Sequence, residues 1–143
     1  AIVLSVVGEG MPLIYNGQEA GNTKRLEFFE KDAIQWKEHY IGDLYKNLFA
    51  LLKSNTALWH AKWGATMIKV PNNYETEVLS FVRQNEKDKV FAVFNFSKEK
   101  KEINFKESLF KGNYTDFSTS EKVNLNQNTN LTLEPWSYKV YIK

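Results

Sequence analysis

Five carboxylates stand between residues 9 and 32 of this chain: Glu9, Glu19, Glu27, Glu30 and Asp32. Paired carboxyl groups are the equipment of glycosidic-bond chemistry. A retaining reaction needs one nucleophile and one acid/base, their carboxyl groups about 5–5.5 Å apart. Glu19 is the most suggestive of the five, because it follows the short apolar run Pro12-Leu13-Ile14-Tyr15. Its plainer role, and the weightier one, is that of a turn residue whose carboxylate accepts nearby donors and holds the loop. Arg25 and Trp36 add the two groups that meet sugars well. An indole stacks on the C–H face of a pyranose, and a guanidinium forks to hydroxyls or pins a carboxylate. The plain alternative for this pair is a loop-anchoring Trp and a solvated Arg.

Other chemistries find no support. His39 and His60 are the only histidines and the chain has no cysteine, so the ligand set of a zinc site is missing. The Asp and Asn residues match no EF-hand loop, and there is neither a nucleophile elbow nor a phosphate-binding glycine loop. No cofactor is expected. The 19 Lys and Arg against 17 Asp and Glu leave a net charge of +2, too bland to call for nucleic acid or an anionic surface. Ala1–Val7 is too short to span a bilayer and lacks the basic flank of a signal peptide. A chain that opens inside an apolar run without Met looks like a cut, and nothing in it indicates a compartment.

The elements that must carry these residues change character near residue 58. Pro12–Tyr15, closed by Asn16-Gly17, is expected to be a buried strand ending in a turn. A loop of little periodicity follows, from Gly21 to about Tyr40, long enough to expect a function for it. Ile41, Leu44, Tyr45, Leu48, Phe49, Leu51 and Leu52 then fall on helical spacing and make one broad apolar stripe. Beyond it the pattern alternates. Val78–Arg83 and Val90–Phe96 predict a hairpin over the polar loop Asn85–Asp88. Ile103 and Phe105, Val123 and Leu125, and Leu131 and Leu133 alternate with polar residues. In the last run Tyr138, Val140 and Ile142 should face one way and Lys139, Tyr141 and Lys143 the other. Turn signals recur about every ten residues, among them Lys111-Gly112-Asn113. The whole predicts an antiparallel sandwich or Greek-key barrel. Trp59 and Trp63 sit at the join, where packing outweighs a sugar-binding platform, and Trp136 after Pro135 is expected to plug the end of the sandwich. Sequons at Asn95, Asn113 and Asn130 carry no meaning without a secretory context.

Gly10-Met11-Pro12-Leu13-Ile14-Tyr15-Asn16-Gly17-Gln18-Glu19-Ala20-Gly21 resembles the G-x-P-x-x-Y-x-G-x-E-x-G segment of the α-amylase superfamily, glycoside hydrolases of family 13. The resemblance extends along the chain in order. Ala1–Val7 is similar to the helix before the eighth barrel strand, and Arg25, Phe28-Phe29 and Trp36 to the loop after that strand. Ile41–Leu52 is similar to the eighth helix, and Ala57-Leu58 with a following Gly to the junction into the family's C-terminal β-sandwich, domain C. Leu133–Ser137 resembles the approach to that domain's last strand.

The resemblance implies a mainly β protein: residues 1–57 as the incomplete terminal β/α segment of a catalytic (β/α)₈ barrel, and residues 58–143 as an antiparallel Greek-key sandwich. It implies a parent enzyme that acts by retention on α-glucosidic bonds of starch-like glucans or maltooligosaccharides. Its three catalytic acids sit on strands four, five and seven, all upstream of Ala1, so the resemblance assigns no catalytic residue to this chain and the piece should be inert. Arg25 and Trp36 are then substrate-binding residues of the parent. Tyr15, Gly17 and Glu19 hold the turn after strand eight. The partners implied are the glucan and the remainder of the barrel, with no nucleic acid and no membrane. Residues 1–40, lacking barrel neighbours, should be disordered, rearranged or paired with another copy through the unsatisfied strand edge. Two rivals stand beside this reading: a carbohydrate-binding module gripping glucan through Trp59, Trp63 or Tyr74, and a structural domain of a non-enzymatic amylase-like protein.

Overall fold

A computed structural model describes all residues, 1–143. The chain divides into two compact units, Ala1–Ser54 and Asn55–Lys143.

In the first unit the helical stripe does what its spacing dictates. Helix α2, Tyr40–Ser54, buries Tyr45, Leu48 and Leu51 along one face. Asp43 in its first turn and Lys53 in its last complement the helix dipole. Helix α1, Ile2–Val7, buries Val3, Val6 and Val7 and packs on α2. A 3₁₀ turn, Gln18–Ala20, packs on α2 as well. Between them Pro12–Tyr15 runs as irregular backbone without a ladder, where the apolar run predicts a strand, and Leu13 and Tyr15 are exposed. A strand exists only when a neighbour accepts its backbone hydrogen bonds, and this unit contains no other strand. The segment from Gly21 to His39 is irregular throughout, as its lack of periodicity predicts.

The second unit is the antiparallel sandwich. Its strands are β1 (Met67–Lys69), β2 (Val78–Gln84), β3 (Lys89–Asn95), β4 (Lys101–Asn104), β5 (Gly112–Asp116), β6 (Lys122–Leu125), β7 (Asn130–Leu133) and β8 (Tyr138–Ile142). Six form one sheet in the order β1-β2-β3-β8-β5-β6, and β4 pairs with β7 in the other layer. The last strand thus returns to lie between β3 and β5, the long-range step of a Greek key. Between the layers Val78, Val82, Phe91, Val93, Ile103, Phe105, Phe110, Tyr114, Leu125, Leu133 and Tyr141 close the core. Phe91 and Phe105 meet edge-on at 5.2 Å, and Phe105 lies 4.7 Å from Phe110.

The predicted β2–β3 hairpin forms with Val82 opposite Phe91. The side chain of Asn85 closes its loop by accepting the N–H groups of Lys87 and Asp88. Three expectations need correction. Residues 112–116, whose Gly-Asn start reads as a turn, form β5, because Tyr114 reaches the core and donates its hydroxyl to Phe110 O at 2.8 Å. β8 does not present one wet face: Val140 and Tyr141 are both buried, since the strand has neighbours on either edge and cover on both faces. Burial also pushes the Tyr141 phenol up to about 12, with Asp116 adding to the shift. Trp136 does not plug the sandwich; it stands out in solvent. Asn95 is buried and holds its neighbours through its side chain, so that sequon is closed in the folded protein.

Candidate functional site

The motif Gly10–Gly21 folds into a tight turn whose geometry explains its glycines. Gly17 has φ +91°, and a Cβ there would sit 3.1 Å from the side chains of Asn22 and Ile34. Its carbonyl accepts the N–H of Ala20 at 3.1 Å and of Asn22 at 3.0 Å, so it starts the 3₁₀ turn. Gly21, at φ +67°, leaves room for the His39 imidazole, whose ring atoms lie 2.6 Å from where a Cβ would stand. The close approach places His39 over the turn, and Gly42 comes near enough for its missing Cβ to clear the carbonyl of Glu19 by 3.1 Å.

The side chain that ties this turn down is Gln18. Its Oε1 accepts the backbone N–H of Tyr15 at 2.8 Å and the hydroxyl of Tyr45, on α2, at 3.2 Å. Gln18 occupies a variable position of the motif, and its partner Tyr45 is 27 residues away, so no local signal in the sequence marks it. Tyr15 contributes backbone contacts and leaves its ring exposed. The neighbouring Glu19 is different: its Oε2 is buried without a hydrogen-bond partner. Burial, with the charge of Glu19 second, raises the pKa of the Tyr45 hydroxyl, so that group stays a neutral donor.

Glu19 and Trp36 share one groove of about 360 Å³, lined also by Lys37, His39, Gly42 and Asp43. The Trp36 indole is 61% exposed there. Arg25 is not brought to this groove; it lies on the exposed stretch between Lys24 and Asp32. That stretch is held by an ion pair from Lys24 Nζ to Asp32 Oδ1, 2.5 Å, while Asp32 Oδ2 accepts the N–H of Glu27 at 3.1 Å. The hydrogen bond from Lys24, then that from Glu27, keeps the Asp32 carboxyl below its ordinary value. Chemically the groove offers an open aromatic face, a carboxylate with one buried oxygen and the imidazole of His39, groups that can stack on a ring and exchange hydrogen bonds. No group of three His, Asp or Glu side chains is placed to hold a metal ion, and no helix is long and apolar enough to cross a membrane.

In the sandwich unit the candidate aromatics are carried by a rigid strap, residues 55–65. Thr56 donates its N–H and its hydroxyl to Asp88 Oδ2, and Asn85 Nδ2 donates to the Thr56 hydroxyl at 2.9 Å. The buried Arg83 guanidinium donates to Trp59 O at 2.9 Å and Ala65 O at 2.8 Å. Gly64 leaves no space at all: a Cβ would fall 1.7 Å from Trp59 O. Trp59 and Trp63 are both exposed on this strap, and Lys62 Nζ sits 4.9 Å from the Trp63 ring. Tyr74 is half-buried and covered by Lys101 Nζ, also at 4.9 Å.

With this geometry in view, the match to known proteins is consistent at every level. Residues 68–140 match the family described as Maltogenic Amylase, C-terminal domain, and the chain belongs to that family. Among curated proteins it is similar to the 1,4-alpha-glucan branching enzymes GlgB of Bacillus cereus (strain AH820) and Bacillus anthracis, each 33% identical over an alignment of 100 residues that covers 62% of this chain. The chain spans about 15% of the length of those relatives. Two solved structures share the fold along 99% of the chain. They are a noncanonic maltogenic alpha-amylase, AmyB, from Thermotoga neapolitana (TM-score 0.81, 16% identity, 35% of that chain) and the cyclomaltodextrin glucanotransferase CldA (TM-score 0.71, 22% identity, 31% of that chain).

Proposed function

We propose that this chain is the C-terminal part of an α-amylase-like glycoside hydrolase that cleaves α-glucosidic bonds of starch-like glucans with retention. In that role residues 1–57 are the terminal β/α segment of the catalytic barrel and residues 58–143 are domain C. The observation that carries the reading is the Gly10–Gly21 motif folded as a tight turn beside α2, in a chain whose sandwich belongs to the maltogenic amylase family. The branching-enzyme relatives support glucan as the substrate class.

Retaining hydrolysis divides the work between a carboxylate that attacks the anomeric carbon and a carboxylic acid that protonates the departing oxygen. This chain provides neither. Its contribution is positional: Trp36 offers a stacking face on the wall of the groove, and Glu19 helps set the polarity there. Arg25 stands on the exposed loop outside that groove and meets only glucan that extends beyond it. The remaining barrel is the partner of residues 1–57, and the chain by itself is catalytically inert. The test is turnover of a chromogenic maltoside by the purified chain. No activity above buffer is expected; turnover that copurifies with the chain through a second, orthogonal purification overturns the reading.

A further inference from the structure

The exposed aromatics of the sandwich unit are not equivalent. Lys62 occupies one face of Trp63, and Lys101 covers Tyr74. Trp136 has no cation over it and makes no ring contact with another aromatic side chain, and it is 68% exposed. Its backbone is stranger still. Trp136 follows Pro135 in a turn closed by Ser137 N–H donating to Glu134 O at 3.3 Å, and its φ is +56°. A proline followed by a residue of positive φ is the pattern of a type II turn, whose third position normally belongs to glycine. A bulky side chain in that region costs the fold about 1–2 kcal/mol, and an indole left in water returns none of it through burial.

The strained turn is nonetheless held rigidly. Trp136 N–H donates to Ser97 O at 3.2 Å, and Ser137 Oγ to Glu134 O at 2.7 Å. From below, buried Asn95 Nδ2 donates to Glu134 O at 3.0 Å and Glu99 O at 2.7 Å. The β3–β8 register pairs Phe94 with Tyr138, so Phe96 lies across from Trp136 just past the ladder, and it too is 43% exposed. Glu134 and Lys100, paired at 2.8 Å on the surface, stand beside the turn as hydrogen-bonding groups. Strain that a rigid frame maintains around an exposed aromatic points to function rather than to packing.

We propose that the Glu134–Ser137 turn of the sandwich unit is an α-glucan-binding site in which the Trp136 indole stacks on one glucose ring and Glu134 and Lys100 reach its hydroxyls. The ligand class rests on the glucan reading above. The site itself rests on the turn. The turn fixes the backbone that carries the indole, which lowers the ordering cost of binding, so one ring can hold a short oligosaccharide weakly and an insoluble or branched glucan by repetition.

The experiment is calorimetric titration of the 143-residue chain with maltoheptaose, with cellohexaose as the control, alongside thermal melting of each variant. Millimolar binding of maltoheptaose is expected. Trp136→Gly should weaken it at least about tenfold while leaving Tm unchanged or raising it by roughly 2–5 °C through relief of the turn. Trp136→Tyr should restore part of the affinity, and Trp63→Ala should leave it within about twofold. The proposal is overturned if the unaltered chain binds no maltoheptaose, if cellohexaose binds equally well, or if Trp63→Ala abolishes binding and Trp136→Gly does not. A fall in Tm on Trp136→Gly with binding intact also overturns it, since that is the mark of a packing residue. Because the readout is binding and not turnover, its failure leaves the parent-enzyme reading standing, and turnover by the chain alone would sink that reading without touching this one.

Discussion

The two units of this protein solve the burial problem in opposite ways. Residues 1–54 leave Met11, Leu13, Phe28, Phe29, Trp36 and Tyr40 largely in water, and their order depends on one helix with a turn and a short helix packed on it. Residues 55–143 place Phe91, Phe105, Phe110 and Tyr141 in a single core closed by two layers. A β-sandwich can finish its own core, because each strand finds partners within the unit. The first unit does not, since Pro12–Tyr15 has no strand beside it and stays irregular.

The contrast can be broken most forcefully at the sandwich core. Phe91→Ala empties a site ringed by Phe105, Phe110 and Tyr141 and should cost about 3–5 kcal/mol in urea unfolding of the sandwich. If the loss is under about 1 kcal/mol, the layered core is not what holds this unit. Next comes the frame beneath Trp136. Asn95→Ala removes the donor to Glu99 O and Glu134 O and the acceptor for Ser97, at a cost of about 2–4 kcal/mol by the same measurement. The same variant should show more mobile Glu134–Ser137 amides by hydrogen exchange; unchanged protection there would mean the turn is rigid without Asn95.

The smallest effect belongs to the N-terminal loop. Asp32 has its carboxyl pKa lowered in the folded chain by Lys24, so the pair holds the loop above the unfolded value of about 3.9 and lets go as pH falls through and below it. The protection of the Glu27 amide, its intrinsic exchange rate divided by the observed one, should fall below about pH 4, and Lys24→Ala should flatten that response. A loop whose protection is indifferent to both would show the ion pair to be ornamental, which is the ordinary fate of an exposed pair.

Much of this was legible along the chain. The stripe from Ile41 to Leu52 became α2, and Val78–Arg83 and Val90–Phe96 became β2 and β3, because periodicity records which side of an element is dry. β1 escaped because Met67–Lys69 is three residues long and mostly wet, and β5 because a Gly-Asn pair resembles a turn until Tyr114 finds the core. Of the site, the Gly17 turn could be expected from Asn16-Gly17, whereas the anchoring by Gln18 could not, since its partner Tyr45 lies on a helix that begins some twenty residues later.

The sequence by itself determined the helix, the alternating strands, the amylase-like motif and the absence of any thiol, all of which depend on residue type and near-neighbour spacing. Tertiary structure alone decided that Asn95 is buried, that Glu19 and Trp36 share a groove while Arg25 stays apart, and that Trp136 faces water on a left-handed backbone. Those outcomes follow from the register of β3 against β8 and from the packing of the turn on α2. Each brings together residues far apart in the chain, so no local window of sequence contains the energy that settles them.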